Sequence, residues 1–170
     1  MKKTLKCYLF IALFLSFCQP LSAQSSAGAS STANIITPIS ISKSVDMNFG
    51  NIAVKSSAGG TVVLNPSGTR TQTGGVTLPV TSGTTSAASF TVTGEGVYTY
   101  SITLPSSSLT IANGVNSMTV SAFTSSPSST GTLTAGSQTV KVGATLNVNA
   151  AQATGIYTST SPFNVTVNYN

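Results

Sequence analysis

Apolar residues occupy every second position along much of this chain. Phe163, Val165, Val167 and Tyr169 alternate with Asn164, Thr166 and Asn168. Tyr98, Tyr100, Ile102 and Leu104 alternate with Thr99, Ser101 and Thr103, and Ala144, Leu146 and Val148 with Thr145, Asn147 and Asn149. The same period runs through Phe90 and Val92, Met118 and Val120, and Val140 and Val142. It is weaker over residues 34–42, 45–54, 60–65 and 75–80. Successive side chains of a strand point to opposite faces, so a period of two predicts half-buried strands. No window sustains a helical period.

Turn residues separate these runs: Gly59-Gly60, Asn65-Pro66-Ser67-Gly68, Gly74-Gly75, Gly94-Glu95-Gly96, Asn113-Gly114 and Ser126-Pro127. Glycine supplies the positive φ that tight hairpins require. About ten short strands at this spacing predict an all-β fold, either an antiparallel Ig-like β-sandwich or a Greek-key barrel. The inward residues Phe90, Tyr100, Ile102, Leu146, Phe163 and Val165 are expected to carry its stability. Pro38 interrupts the run from Asn34 to Ile41 and Lys43 follows it. Proline and lysine discourage open-ended pairing, so Ile35, Ile36, Ile39 and Ile41 are expected in an edge strand, or in one exchanged with a neighbour.

The N-terminus follows a different logic. Lys2, Lys3 and Lys6 precede the apolar run from Cys7 to Phe17, and Leu21-Ser22-Ala23 supplies a small-residue cleavage pattern. This is the design of a secretory signal peptide, with cleavage expected after Ala23. Lipidation at Cys18 would want a small residue before it, where Phe17 stands. The apolar run is shorter than the ~20 residues that span a membrane, so no transmembrane segment is expected after cleavage. The expected organisation is a signal peptide over 1–23, a flexible Ser/Ala/Gly-rich segment over 24–33 and one β domain over 34–170. The product is expected in the periplasm, on the outer cell surface or outside the cell.

Composition then removes most chemistry. Beyond the leader there is no Cys, and the chain has no His and no Trp. Without a disulfide, an exported domain must rely on burial and sheet hydrogen bonds. Charged residues make up 5 % of the sequence, against about 25 % in ordinary soluble domains. The formal net charge of +5 owes much to the leader; beyond it, Lys43, Lys55, Arg70 and Lys141 face Asp46 and Glu95. These cations do not cluster, so no nucleic-acid partner is expected. Asp46 and Glu95 are the sole carboxylates, and nothing in the pattern unites them for acid–base work. No enzyme activity, catalytic residue, cofactor or metal site is expected. Asp46, Asn48 and Asn51 could offer oxygens to calcium, but an Asx turn around Gly50 is the simpler expectation.

Three stretches carry a family resemblance. They are residues 34–41 leading into Asp46-Met47-Asn48-Phe49-Gly50-Asn51-Ile52; Gly60-Thr61-Val62-Val63-Leu64 followed by Gly68-Thr69-Arg70; and Val142 to Val148 with Gly155-Ile156-Tyr157 and the ending Phe163 to Tyr169. Over roughly residues 33–170 the chain resembles a bacterial exported family, domain of unknown function 4402. The Phe49-Gly50 element, Gly155 and the near-terminal Tyr169 are also similar in kind to spore-coat-U-like proteins and chaperone–usher pilins. That wider resemblance implies a pilin-like fold. It implies that Phe163, Val165, Val167 and Tyr169 lie in a closing or chaperone-contacting strand, and that residues 33–41 are a donor strand. The pilin disulfide has no counterpart here.

These readings give an expected function: a non-catalytic exported surface or structural protein, such as a fimbria-like subunit or an adhesin. Its expected partners are a second copy or a periplasmic chaperone, joined by strand addition. The alternative is a monomeric periplasmic or cell-surface module that binds glycan or protein.

Overall fold

The computed structural model describes residues 24–170; the signal peptide expected over 1–23 lies outside them. Residues 24–35 are exposed and carry no regular structure. Residues 36–170 form a compact unit in which every strand pairing is antiparallel, and the described residues contain no helix.

The largest sheet has eight strands and curls into a half-barrel. Its path runs from β1 (Ser40–Val45) through β6 (Ala88–Thr93), β11 (Ser137–Val148), β9 (Asn116–Ser126) and β8 (Leu109–Asn113) to β12 (Thr158–Ser159). β3 (Gly60–Leu64) also pairs with β11, and β4 (Arg70–Gly74) pairs with β3. A second sheet has the order β10 (Thr130–Thr132), β7 (Thr99–Thr103), β13 (Thr166–Tyr169). A short pair joins β2 (Ala53–Val54) to β5 (Val76–Thr77).

β11 is the axis of this arrangement. On one side it pairs with β6 through Ser137–Val142, then with β3 through Ala144–Val148; on the other it pairs with β9. Gly143 occupies the changeover. A Cβ there would meet the Leu64 carbonyl oxygen at 2.1 Å, so only glycine lets the two backbones approach. The register against β9 shifts at the same point, leaving Ala122 and Phe123 opposite Ala144. Ala122 takes a φ of 49° in this bulge, and bulges bend and twist the strand that carries them.

Alternation sends the apolar faces into two clusters. The first joins Phe90, Val92, Val140 and Val142 of the large sheet to Tyr100, Ile102 and Val167 of the small one. The second gathers Val62, Val120, Leu146 and Val148 above Val76. Met47 and Phe123 pack against both. Each fully buried Val or Leu contributes about 1.5–3 kcal/mol relative to exposure. The outer face is stitched by uncharged pairs: Thr61 Oγ1 lies 2.8 Å from Thr73 Oγ1, and Asn147 Nδ2 donates to Ser121 Oγ at 3.0 Å. Cross-strand pairs of this kind contribute about 0.2–1 kcal/mol each.

Several expectations change in detail. The weak run over 34–42 becomes a strand only from Ser40, because Pro38 has no N–H to give a ladder. Of the run over 45–54, only Val45, the end of β1, and Ala53–Val54 lie in strands. Val140–Val142 and Ala144–Val148 belong to one twelve-residue strand. β4 has an all-polar sequence, Arg-Thr-Gln-Thr-Gly, and is mostly exposed, so it carries no hydrophobic period. Tyr98, expected inward, is 46 % exposed.

Candidate functional site

The first and last strands of the unit lie at sheet edges. β1 pairs with β6 alone, from Ser40↔Thr93 to Val45↔Ser89, with a register shift between Lys43 and Val45. β13 pairs with β7 alone, from Thr166↔Thr103 to Tyr169↔Tyr100. Backbone bonds on β7 decide which groups of β13 are left over. The Ile102 N–H donates to Ser129 O at 2.7 Å, toward the β10 side, and the Asn170 N–H donates to Thr99 O at 3.2 Å. In an antiparallel ladder such directions alternate. Val167, opposite Ile102, and Tyr169, opposite Tyr100, therefore turn their backbone groups to the unpaired side of β13.

The two edges differ in how they resist further pairing. β1 is preceded by Pro38, carries Lys43 and contains the register shift. All three discourage edge-to-edge association. β13 has the sequence Thr-Val-Asn-Tyr, with no charge, no proline and no register shift. Val165 and Val167 are buried in the first cluster, and Ile39, Ile41, Phe163 and Tyr169 pack against it partly buried. The expected edge residues Ile39 and Ile41 thus share a cluster with the expected closing-strand residues Phe163, Val165, Val167 and Tyr169. Ile36 is half-buried and Ile35 is 94 % exposed.

A ring of hydrogen bonds spans this seam. The Thr37 hydroxyl donates to Glu95 Oε2 at 2.7 Å, and the Thr37 N–H donates to the same oxygen at 3.1 Å. The Tyr169 hydroxyl donates to the Thr37 carbonyl at 2.8 Å and accepts the Glu95 N–H at 2.6 Å. Three residues far apart in sequence, near the start, middle and end of the unit, thereby close on one another. The Thr37 hydroxyl, followed by its N–H, holds the Glu95 carboxyl below the ordinary glutamate range. The Tyr98 ring lies 5.7 Å from the Tyr169 ring and supports it from the side. A Cβ on Gly94 would meet the Tyr169 hydroxyl at 2.2 Å, so the turn before Glu95 must be glycine for the phenol to reach it.

The second carboxylate is elsewhere. Asp46 Oδ1 accepts Lys43 Nζ at 2.7 Å on an exposed surface. β1 runs antiparallel to β6 with Ser40 beside Thr93 and Val45 beside Ser89. Asp46 and Glu95 therefore lie at opposite ends of this pair, separated by roughly 17 Å of strand. Asn48 Oδ1 accepts the Gly50 N–H at 2.8 Å, an Asx turn. Arg70 secures that turn by donating to the Phe49 and Asn51 carbonyls.

The sequence did not reveal the pairing of Thr37 with Glu95. An acid between two glycines reads as a solvated turn, and its partner lies 58 positions away. Tyr169 stands out in the sequence by its place in an alternating run and near the end of the chain, which predicts its ring but not its hydroxyl contacts.

The family model described as "Domain of unknown function (DUF4402)" matches residues 39–169. The chain belongs to this family. No curated protein and no solved structure matches it.

Proposed function

We propose that this is a non-catalytic, exported structural or surface protein, a fimbria-like subunit or adhesin that associates by adding a strand at the free edge of β13. One observation carries the reading: β13 has a partner on one side only and lacks every feature that protects the β1 edge. An added strand would bond to the outward backbone groups of Val167 and Tyr169 and lie beside Val165, Val167, Ile39 and Ile41. In this reading the two principal sheets are the halves of an Ig-like, pilin-like sandwich whose last strand comes from a partner. The partner is a second copy or a periplasmic chaperone. The leader pattern of residues 1–23 supports export to the periplasm, the outer surface or the medium. The lack of His and the scarcity of carboxylates support a role without catalysis.

A monomeric module that binds glycan or protein is the competing reading. It is favoured by the pairing of β1 with β6 inside the same unit. Light scattering on the processed protein separates the two. The proposal expects oligomers that grow with concentration and a shift to monomer when residues 24–36 are deleted, with β1 left in place. A monomer at every concentration, with and without that segment, would favour the competing reading.

A further inference from the structure

We propose that Thr37, Glu95 and Tyr169 form a latch that holds residues 37–41 across the seam beside β13 and so gates strand addition there. The gating role rests on the reading above; the latch itself rests on the ring alone.

The ring does what the sheet cannot do at this point. Pro38 has no N–H, and the β1 ladder begins at Ser40. Residues 37–39 have no strand pairing of their own. Thr37 instead commits its N–H, hydroxyl and carbonyl to Glu95 and Tyr169. With the ring closed, Ile39 and Ile41 stay against the cluster that holds Val165 and Val167. With the ring open, the segment before β1 is free to leave, and the end of β13 at Tyr169 becomes accessible to another strand.

The latch depends on the charge of Glu95. An ionised carboxylate accepts both Thr37 bonds at one oxygen; a protonated one gives up acceptor capacity and becomes a donor. The groups facing it are Thr37 from the N-terminal segment, Tyr169 from β13 and Tyr98 from its own turn, whose N–H donates to the Glu95 carbonyl at 3.2 Å. The ion pair formed among the described residues, Lys43–Asp46, is at the other end of β1. The carboxyl is held below its ordinary range. The latch therefore stays closed through neutral and mildly acidic pH and opens only as pH falls through that depressed value.

Two readouts on the processed protein test this. The first is tryptic cleavage after Lys43, which needs β1 to open, compared with cleavage after Lys141 in the middle of β11. Glu95→Ala and Tyr169→Phe each remove two bonds of the ring and should each speed the Lys43 cut at least about fivefold, the scale of a single lost hydrogen bond, with the Lys141 cut unchanged. Equal rates at Lys43 in wild type and both variants would overturn the latch. The second readout is fluorescence anisotropy of a labelled synthetic peptide of residues 24–41. It should bind Glu95→Ala more tightly than wild type at neutral pH. Wild type should gain binding in strong acid, while Glu95→Gln should bind equally across that range. Faster Lys43 cleavage with no peptide binding to any variant would keep the latch and overturn the strand-addition reading.

Discussion

The hydroxyl of Tyr100, on the central strand of the small sheet, donates a 2.7 Å hydrogen bond to Oε1 of Gln138 on the axial strand of the large one. The same Oε1 accepts the Thr132 N–H at 2.9 Å. The Tyr100 ring is fully buried, so its one polar atom must find a partner. The bond crosses between the two sheets and satisfies the phenol within the first apolar cluster. Gly131 permits it, because a Cβ there would lie 2.4 Å from both Tyr100 Cζ and Gln138 Oε1.

Tyr100→Phe should therefore cost about 1 kcal/mol in urea unfolding, the net worth of one hydrogen bond with the ring retained. Gly131→Ala should cost about 1–3 kcal/mol, because the added methyl overpacks the crossing. Burial pushes the Tyr100 phenol up from its ordinary value. A raised phenol favours the folded state below the unfolded tyrosine range, and that contribution is lost as pH climbs through the folded value. Tyr100→Phe should remove that part of the alkaline loss of stability, measured as melting temperature against pH.

Gly143 and Ala122 make opposite predictions across one bulge. Gly143→Ala drives a methyl against the Leu64 carbonyl and should destabilise by at least about 2 kcal/mol, with loss of β3–β11 protection in hydrogen exchange. Ala122 sits at a φ of 49°, where a β-carbon costs roughly 1 kcal/mol that glycine avoids. Ala122→Gly should leave the unfolding midpoint unchanged or raise it.

Leu146→Ala tests the second cluster. Leu146 is 1 % exposed and lies between β3 and β9. Its truncation should cost about 2–5 kcal/mol, read from chemical unfolding. Thr145→Val, on the opposite face of the same strand, should change stability by less than about 0.5 kcal/mol.

Acid titration tests the seam. The carboxyl of Glu95 is depressed in the folded protein. Its contribution is therefore present above the unfolded carboxyl range and lost as pH falls through the folded value. Melting temperature should drop on that limb, and less so in Glu95→Gln. The effect is small, because the carboxyl is open to solvent and screened.

The strand content was legible because burial on one face of a sheet forces a period of two. Phe90, Tyr100, Ile102, Leu146 and Val165 all lie in the core as the alternation predicts. The Asn113-Gly114 turn was legible for the same local reason: Gly114 takes a φ of 58° at the first position of a two-residue hairpin loop. β4 was not legible, since Arg70–Gly74 adds hydrogen bonds to β3 while burying almost nothing. The partner switch at Gly143 was hidden because its cause is a distant backbone, that of Leu64. The ring of Thr37, Glu95 and Tyr169 was hidden for a related reason. Its hydroxyls and carboxylate meet across three separate segments, and no local spacing encodes such a meeting.

Residue-resolved hydrogen exchange on the processed protein, as monomer and after association, bears most directly on strand addition at β13. The amides of Val167 and Tyr169 face the unpaired side and should exchange faster in the monomer than those of Thr166 and Asn168, which bond to β7. On association they should slow by orders of magnitude, while the edges at β4 and β12 stay unchanged. Protection appearing at β4 or β12, with Val167 and Tyr169 still exchanging freely in the associated form, would contradict the account.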